Sequence, residues 1–337
     1  MIKHNITLPG TFNFEAGGSI EGLPIAFHTS PREYTPGERV IWICHGLTAN
    51  SDVEDWWPQL AGPGKLFDTE KYFVICVNIL GSCYGSAGPS SIDPATGKPY
   101  FFSFPLITVK DLAKSAIEVC NYLGIKKVDL LVGASIGGFQ AQEMLLQAPE
   151  LFERAVLIAT DNRIRAFYTA MNETQRMSLD ADPSFREAAS LEGGKAGLEA
   201  ARGLALLTYR SYDGYNLTQT DEDPEIIFTN RACTYQRYQG LKLSRRFDAY
   251  SYWYLTKCLD SHNIGRGRGG VEAALASFKV PVTVISITSD WLFPQVEMRR
   301  WAAAIPGSKY FEIESKFGHD GFLLESDQLS EIIKPLI

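Results

Sequence analysis

The chain has 337 residues, of which 45% are hydrophobic and 21% are charged, a composition typical of a folded globular protein rather than a disordered one. Its net charge of −7, without a clustered basic stretch, argues against nucleic acid as a partner, because phosphate binding needs grouped Lys and Arg. The N-terminal residues lack the apolar core of a signal peptide, and no stretch reaches the roughly 18 apolar residues of a membrane span, so we expect a cytoplasmic protein without a membrane partner.

The first part of the chain contains four stretches with the pattern of β-strands. Two early strands are predicted at about 6–15 and 24–29, and two further strands at 40–44 and 72–77. The last two stretches are continuously apolar, as expected of strands covered on both faces of a sheet. One cysteine lies within each of them like an ordinary core residue, and no pair among the six cysteines has C-x-x-C spacing. We therefore expect reduced thiols, with neither a disulfide framework nor a metal site.

Helix and strand patterns alternate in the middle of the chain. A helical pattern over 108–123 leads to a strand at 128–132, a second helical stretch covers about 140–146, and another strand follows at 155–159. Alternation of this kind is typical of a parallel sheet with helices on both faces. The predicted fold class is therefore α/β, with a mostly parallel central sheet.

The pattern then changes to polar and aromatic segments of helical character over 163–260. Strand and helix signals that fit the sheet return later, at 282–287, 310–313 and 326–336. A parallel crossover needs only a dozen or more residues, so the much longer interval should form a subdomain. We predict a core domain formed by 1–162 and 261–337, with a helical lid at 163–260 inserted over the strand ends.

The segment 133–137 has the sequence G-A-S-I-G and directly follows a predicted strand. A strand that enters a small-residue turn and then a helix is the context of a nucleophile elbow, in which the turn holds a serine hydroxyl exposed. The pentapeptide alone is weak evidence, because an ordinary glycine-rich turn also explains it. Together with the flanking strand and helix, it makes Ser135 the candidate nucleophile.

A serine hydroxyl needs a general base, and the base needs an orienting partner. Asp290 follows the predicted strand at 282–287, and His319 lies in a Gly-His-Asp turn after the strand at 310–313. The order Ser135, Asp290, His319 is the order in which the α/β-hydrolase fold supplies its catalytic triad. Asp290 could alternatively serve only as a helix N-cap.

The oxyanion hole is expected to consist of two backbone N–H groups. One belongs to Ile136, the residue after the nucleophile, and the other to Leu47 in the turn that follows the strand at 40–44. Gly46 lets the backbone of that turn come close to a substrate. His45 is expected to pack and hydrogen-bond beneath the hole rather than to act as the base.

With these residues in place, the chain resembles the homoserine O-acetyltransferase family of the α/β-hydrolase fold. The turn with the sequence H-G-L-T looks like the family's H-A-L-T, and a G-P-G-K segment is shared. Similar segments are distributed over nearly the whole chain, at 45–48, 62–65, 78–105, 208–211, 238–240, 246–249 and 317–323. A generic esterase would share the elbow and little else.

The resemblance implies an acyl-CoA-dependent O-acyltransferase with a ping-pong mechanism. Ser135 would take an acetyl group from acetyl-CoA, the co-substrate, and His319 would then activate the hydroxyl of L-homoserine, a step of methionine biosynthesis. It further implies that Arg210 holds the carboxylate of the acceptor and Asp320 its ammonium, with Tyr215 as a weaker candidate in the acceptor pocket. From the residues alone, Arg210 could equally be a solvated ion-pair residue, and Asp320 could be a turn residue. No permanently bound cofactor is implied, and a homodimer is suggested.

Three departures from the family pattern concern the substrate pocket. Gly46 replaces an alanine, Tyr250 replaces an asparagine, and the stretch 185–197 differs from the usual lid sequence. They leave open whether the acyl group is acetyl or succinyl, and whether the acceptor is homoserine, serine or another hydroxyl compound. An esterase or thioesterase on the same triad is the alternative enzyme, because an acyl-enzyme that meets water is hydrolysed. A catalytically silent binding protein would have no need of all three triad residues.

Overall fold

The computed structural model covers all 337 residues and is organised around an eight-stranded sheet. The strands, including a separate two-stranded hairpin formed by the fifth and sixth, are β1 (Ile2–Asn13), β2 (Ser19–Thr29), β3 (Val40–Cys44), β4 (Phe73–Val77), β5 (Ile92–Asp93), β6 (Lys98–Pro99), β7 (Leu130–Ala134), β8 (Ala155–Ile158), β9 (Val282–Ile287) and β10 (Lys309–Ile313). Their order in the main sheet is β1-β2-β4-β3-β7-β8-β9-β10. All pairs from β4 to β10 are parallel, whereas β2 is antiparallel to both of its neighbours.

Thirteen α-helices accompany the strands. They are α1 (Val53–Trp56), α2 (Val109–Leu123), α3 (Ile136–Gln147), α4 (Ala166–Asp180), α5 (Pro183–Glu187), α6 (Lys195–Tyr209), α7 (Tyr212–Gln219), α8 (Arg231–Ser244), α9 (Ala249–Asp260), α10 (Val271–Ala276), α11 (Gln295–Ala302), α12 (Gly321–Leu324) and α13 (Ser326–Ile333). None of them combines the length and the apolarity needed to cross a bilayer.

The central strands are buried on both faces, as their continuous apolar sequences predict. Successive side chains of a strand point to opposite faces of a sheet. In β3, accordingly, Val40 and Trp42 pack in a core on one side of the sheet, and Ile41 and Ile43 pack in the core on the other side. These two cores hold the mostly parallel sheet between layers of helix, which confirms the predicted α/β fold class.

Some predicted element boundaries differ from the observed ones. The first strand was expected at 6–15, but β1 begins at Ile2 and pairs antiparallel with β2 in an edge hairpin that also includes polar and exposed residues. The strand expected at 128–132 lies at Leu130–Ala134, so it continues through Gly133 to the residue before Ser135. Apolar residues alone do not locate the start of β1 or the end of β7. An edge strand such as β1 is half solvated, and the end of β7 consists of small residues.

Helices α4 to α10 lie between β8 and β9, and within this insertion α4 and α8 both pack against α6. The start of α7 is fixed to the loop that follows β10: Ser211 Oγ donates a hydrogen bond to the Lys316 carbonyl. A Cβ atom on Gly214 would come within 2.2 Å of the same carbonyl oxygen, so only glycine permits this close contact. The inserted helices therefore contact a loop at the carboxyl ends of the parallel strands.

Candidate active site

Ser135 occupies a strained turn between β7 and α3. Its backbone angles are φ 57° and ψ −125°, in a region that costs a non-glycine residue on the order of 1–3 kcal/mol. Packing enforces the turn, because a Cβ on Gly137 would lie 2.1 Å from the Cys44 carbonyl oxygen. Thr160 Oγ1 also donates a hydrogen bond of 2.9 Å to the Ser135 carbonyl. The turn thus presents the serine hydroxyl beside the end of β3.

The structure brings Ser135, Asp290 and His319 into one hydrogen-bonded chain. His319 Nε2 lies 3.0 Å from Ser135 Oγ, and His319 Nδ1 lies 2.8 Å from Asp290 Oδ2. The residues are 8%, 4% and 3% exposed, respectively. An ionised carboxylate only accepts hydrogen bonds, so the proton of a neutral His319 belongs on Nδ1, and Nε2 is free to accept the serine proton.

Asp290 has a second set of partners. Its Oδ1 atom accepts hydrogen bonds from the backbone N–H groups of Leu292, at 2.8 Å, and Phe293, at 3.1 Å. The helix N-cap considered from the sequence is not formed, because the next helix, α11, begins only at Gln295, with Pro294 before it. Asp290 instead closes a short turn through one carboxylate oxygen and contacts His319 through the other. These bonds fix the carboxylate and, through it, the orientation of the His319 ring.

The two proposed oxyanion donors have no competing protein acceptor. Ile136 is the first residue of α3, so its N–H has no intrahelical carbonyl to bind. The N–H of Leu47, in the turn after β3, donates to no protein acceptor either. Leu47 and Ser135 line the same cavity, and Ile136 directly follows Ser135 in the chain.

His45 lies beneath this turn, as expected. It is fully buried, and burial lowers its pKa to about 4, so its ring is neutral at pH 7. Nε2 accepts a hydrogen bond of 3.1 Å from the Ile79 N–H, and Nδ1 therefore donates its proton to the Gly46 carbonyl, at 2.8 Å. His45 holds the turn from the core side and does not contact the hydroxyl of Ser135.

A cavity of about 630 Å³ opens above Ser135 and His319, a size suited to a small-molecule substrate. Three cations from the inserted helices line it, and sequence reasoning missed all of them: Arg202, Lys242 and Arg246. Arg202 lies two helical turns before Tyr209, whose ring is 5.8 Å from that of His319. This seven-residue spacing puts both side chains on one face of α6, and helical periodicity could have revealed it.

The three predicted acceptor-binding residues are divided between two cavities. Asp320, next to His319, lines the catalytic cavity, whereas Arg210 and Tyr215 line another cavity of about 660 Å³. Arg210 Nε lies 2.9 Å from Asp320 Oδ2, but without the alignment of a hydrogen bond. Burial raises the pKa of Asp320, and the nearby charge of Arg210 opposes this shift. The structure therefore joins the two residues as an ion pair at the edge of the site.

A sheet of this topology, with a serine elbow, a histidine and an aspartate at the strand ends, defines a protein of the α/β-hydrolase class. The family model described as alpha/beta hydrolase fold matches residues 39–326. The homoserine O-acetyltransferase of Cyclobacterium marinum is 39% identical over 324 residues, which cover 96% of this chain and 91% of that protein. The chain therefore belongs to the homoserine O-acetyltransferase family and is an enzyme, which confirms the resemblance found in its sequence.

Solved structures support the same fold. The homoserine O-acetyltransferase from Bacillus anthracis superposes with a TM-score of 0.90 at 24% identity, covering 99% of this chain and 97% of its own. Esterase E22 superposes almost as well, with a TM-score of 0.88 at 23% identity and 99% coverage of both chains. At this level of identity the likeness establishes the fold alone, and one fold hosts both kinds of protein.

Proposed function

We propose that the chain is an acyl-CoA-dependent O-acyltransferase that transfers acetyl from acetyl-CoA to the side-chain hydroxyl of L-homoserine, in methionine biosynthesis. The observation that carries the proposal is the Ser135–His319–Asp290 chain of hydrogen bonds, in a protein whose relatives are named homoserine O-acetyltransferase over nearly its whole length. We choose acetyl rather than succinyl as the transferred group because those relatives are named acetyltransferases.

In the first half-reaction, His319 Nε2 removes the proton of Ser135 as Oγ attacks the thioester carbonyl. The N–H groups of Leu47 and Ile136 stabilise the oxyanion that forms. His319 then gives the proton to the departing CoA sulfur, and the C–S bond breaks to leave an acetyl ester on Ser135. Throughout, Asp290 stabilises the charged imidazolium.

In the second half-reaction, the acceptor hydroxyl replaces CoA. His319 takes the proton of that hydroxyl, the oxygen attacks the acetyl ester, and the proton returns to Ser135 Oγ as the new ester leaves. Water would take the same path, so the residues at 163–260, which we propose form the lid, must limit its access.

The acceptor is an amino acid, and the Arg210–Asp320 pair matches its two charges. A zwitterion can replace an internal ion pair by placing its carboxylate on the guanidinium and its ammonium on the aspartate. The 2.9 Å contact is unaligned, so exchanging it for substrate costs little hydrogen bonding. Tyr215, whose buried hydroxyl has no partner, is proposed to complete this pocket.

Replacing Arg210 with alanine is expected to raise the acceptor KM about 10- to 100-fold, because a charge-assisted contact to the carboxylate is lost. CoA release in a single turnover without acceptor should stay unchanged. Arg245→Ala is the matched control, since this exposed arginine after α8 has no ionic partner. Steady-state kinetics at saturating donor measure the effect, and an acceptor KM equal to that of the control would refute the role of Arg210.

The function itself is tested by the rate of CoA release from acetyl-CoA and succinyl-CoA, each alone and with L-homoserine or L-serine, with products identified by mass. We expect slow release alone and acceleration by L-homoserine with formation of its O-acetyl ester. Fast release without acceptor, giving only free acid, would make the protein a hydrolase. Acceleration by another donor and acceptor pair would change the substrates but keep the mechanism.

We also propose a homodimer formed through the insertion between β8 and β9. Three large apolar side chains of the insertion are strongly exposed, Tyr212 at the start of α7 and Ile227 and Phe228 in the loop before α8, at 83%, 86% and 84%. Large exposed apolar side chains of this kind favour a protein interface. The substitution Phe228→Asp is therefore expected to halve the mass measured by light scattering. Tyr122→Asp, at an exposed apolar position on α2, is the control. A wild-type mass equal to that of one chain would exclude the dimer.

A further inference from the structure

Arg246 follows α8 and reaches from the inserted helices to two loops of the core. Its Nη1 atom donates hydrogen bonds to the Thr48 carbonyl and to the Tyr84 hydroxyl, each at 2.5 Å. Arg246, Thr48 and Tyr84 all line the catalytic cavity. A guanidinium Nη carries two N–H groups, so these two contacts use both.

The first contact acts on the turn that contains an oxyanion donor. Thr48 directly follows Leu47, and Gly46 precedes it. A Cβ on Gly46 would meet nothing within 4 Å, so the turn is open on that side, and its glycine adds backbone freedom. His45 holds the turn from the core, at the Gly46 carbonyl, and Arg246 holds it from the opposite side, at the Thr48 carbonyl. The Leu47 N–H lies between these two anchors.

The second contact joins the same arginine to the loop after β4. Asn78 connects the two core loops: its Nδ2 donates to the Tyr84 carbonyl, at 3.1 Å, and its Oδ1 accepts from the Ser51 N–H, at 2.8 Å. The Tyr84 ring packs edge-on against Phe247, with centroids 5.7 Å apart. Arg246 is therefore the point where the oxyanion turn, the loop after β4 and the inserted helices meet.

We propose that Arg246 is a positioning residue that fixes the Leu47 N–H in the oxyanion hole. Through the same contacts, the position of this N–H depends on how the lid packs against the core. The inference rests on the proposed function, in which Leu47 stabilises the oxyanion. Arg246 forms no salt bridge, and its Nη1 protons are already engaged, whereas Lys242 and Arg202 line the same cavity without an ionic partner. These two cations are free to meet the phosphates of a CoA donor. The Nε and Nη2 groups of Arg246 have no protein partner either, so the test uses a donor without phosphate to separate positioning from phosphate binding.

The test compares Arg246→Ala with Arg245→Ala, the neighbouring arginine that makes no such contact. Acylation of Ser135 is followed with acetyl-CoA and with p-nitrophenyl acetate, which has no phosphate. A displaced oxyanion donor should slow acylation by about 10- to 100-fold with both donors, and the control should match the wild type. Slowing with acetyl-CoA alone would overturn the proposal and assign Arg246 to phosphate binding.

A loosened lid should also change the fate of the acyl-enzyme. We measure the ratio of acetyl hydrolysed by water to acetyl transferred to L-homoserine. This ratio is expected to rise in Arg246→Ala and not in Arg245→Ala. An unchanged ratio would overturn the coupling to the lid. Thermal unfolding of both variants shows whether they are folded.

Tyr84→Phe provides a second variant, because it removes one hydrogen bond without changing the charge. It is expected to slow acylation about 2- to 10-fold with both donors, as the loss of a single hydrogen bond predicts. Rates equal to wild type in both Tyr84→Phe and Arg246→Ala would overturn the proposal. If the wild type is acylated by p-nitrophenyl acetate but not by acetyl-CoA, the proposed donor is wrong, and the positioning role is still measured with the ester.

Discussion

Substitution of Ser135 by alanine is expected to eliminate acyl-enzyme formation and to lower acyl transfer by about 10⁴- to 10⁶-fold. The reason is chemical rather than structural. The Ser135 side chain has one protein partner, His319 Nε2, and it lines a cavity, so its removal disturbs little packing. His319 keeps its bond to Asp290 and still offers a base, but no nucleophile remains to hold the acetyl group.

Mass spectrometry of the intact protein after mixing with acetyl-CoA measures this result. The wild type should carry one acetyl group when acceptor is absent, and the variant none. Ser190→Ala, at an exposed serine outside the cavity, is the control and should be acetylated as the wild type is. An acetyl group on the Ser135→Ala variant would contradict the assignment, and fragmentation of the labelled protein would locate the residue that carries it.

The three triad residues could be found from the sequence because each follows a distinct strand. The runs that became β7 and β9 are wholly buried, and such short, mostly apolar stretches predict central parallel strands. Carboxyl ends of parallel strands meet at one edge of a sheet, so Ser135, Asp290 and His319 were expected to lie together. The structure shows their hydrogen-bonded arrangement, and their catalytic roles remain predictions for the experiments above.

The inserted helices were harder to predict, because their positions depend on contacts between residues distant in the chain. The family resemblance implied that Arg210 lies in the acceptor pocket, but it could not show that this residue lines a second cavity and contacts Asp320 at the edge of the site. It also missed Arg202 and Arg246 as lining residues. No local pattern predicts a bond such as that between Arg246 and Thr48, since helix packing rather than sequence spacing brings the two together.

Replacing Asp290 distinguishes clearly between a structural and a catalytic role for this residue. If it served only to accept the backbone N–H groups of Leu292 and Phe293, asparagine would replace it with little effect, because the asparagine side-chain oxygen closes the same kind of turn. If it orients His319, asparagine must fail. With its carbonyl oxygen kept on the two N–H groups, its NH₂ group faces His319 Nδ1 and can only donate, which moves the imidazole proton to Nε2.

Asp290→Asn is therefore expected to lower kcat by about 10⁴-fold while the protein stays folded, because a His319 ring protonated on Nε2 cannot accept the proton of Ser135. Single-turnover acetylation gives the rate, and thermal unfolding gives the stability. Asp182→Asn is the matched control, since Asp182 caps α5 through the Ser184 N–H and lies outside the catalytic cavity. A variant that loses stability in proportion to activity, or that keeps near-normal kcat, would reduce Asp290 to a turn residue and leave His319 without its orienting partner.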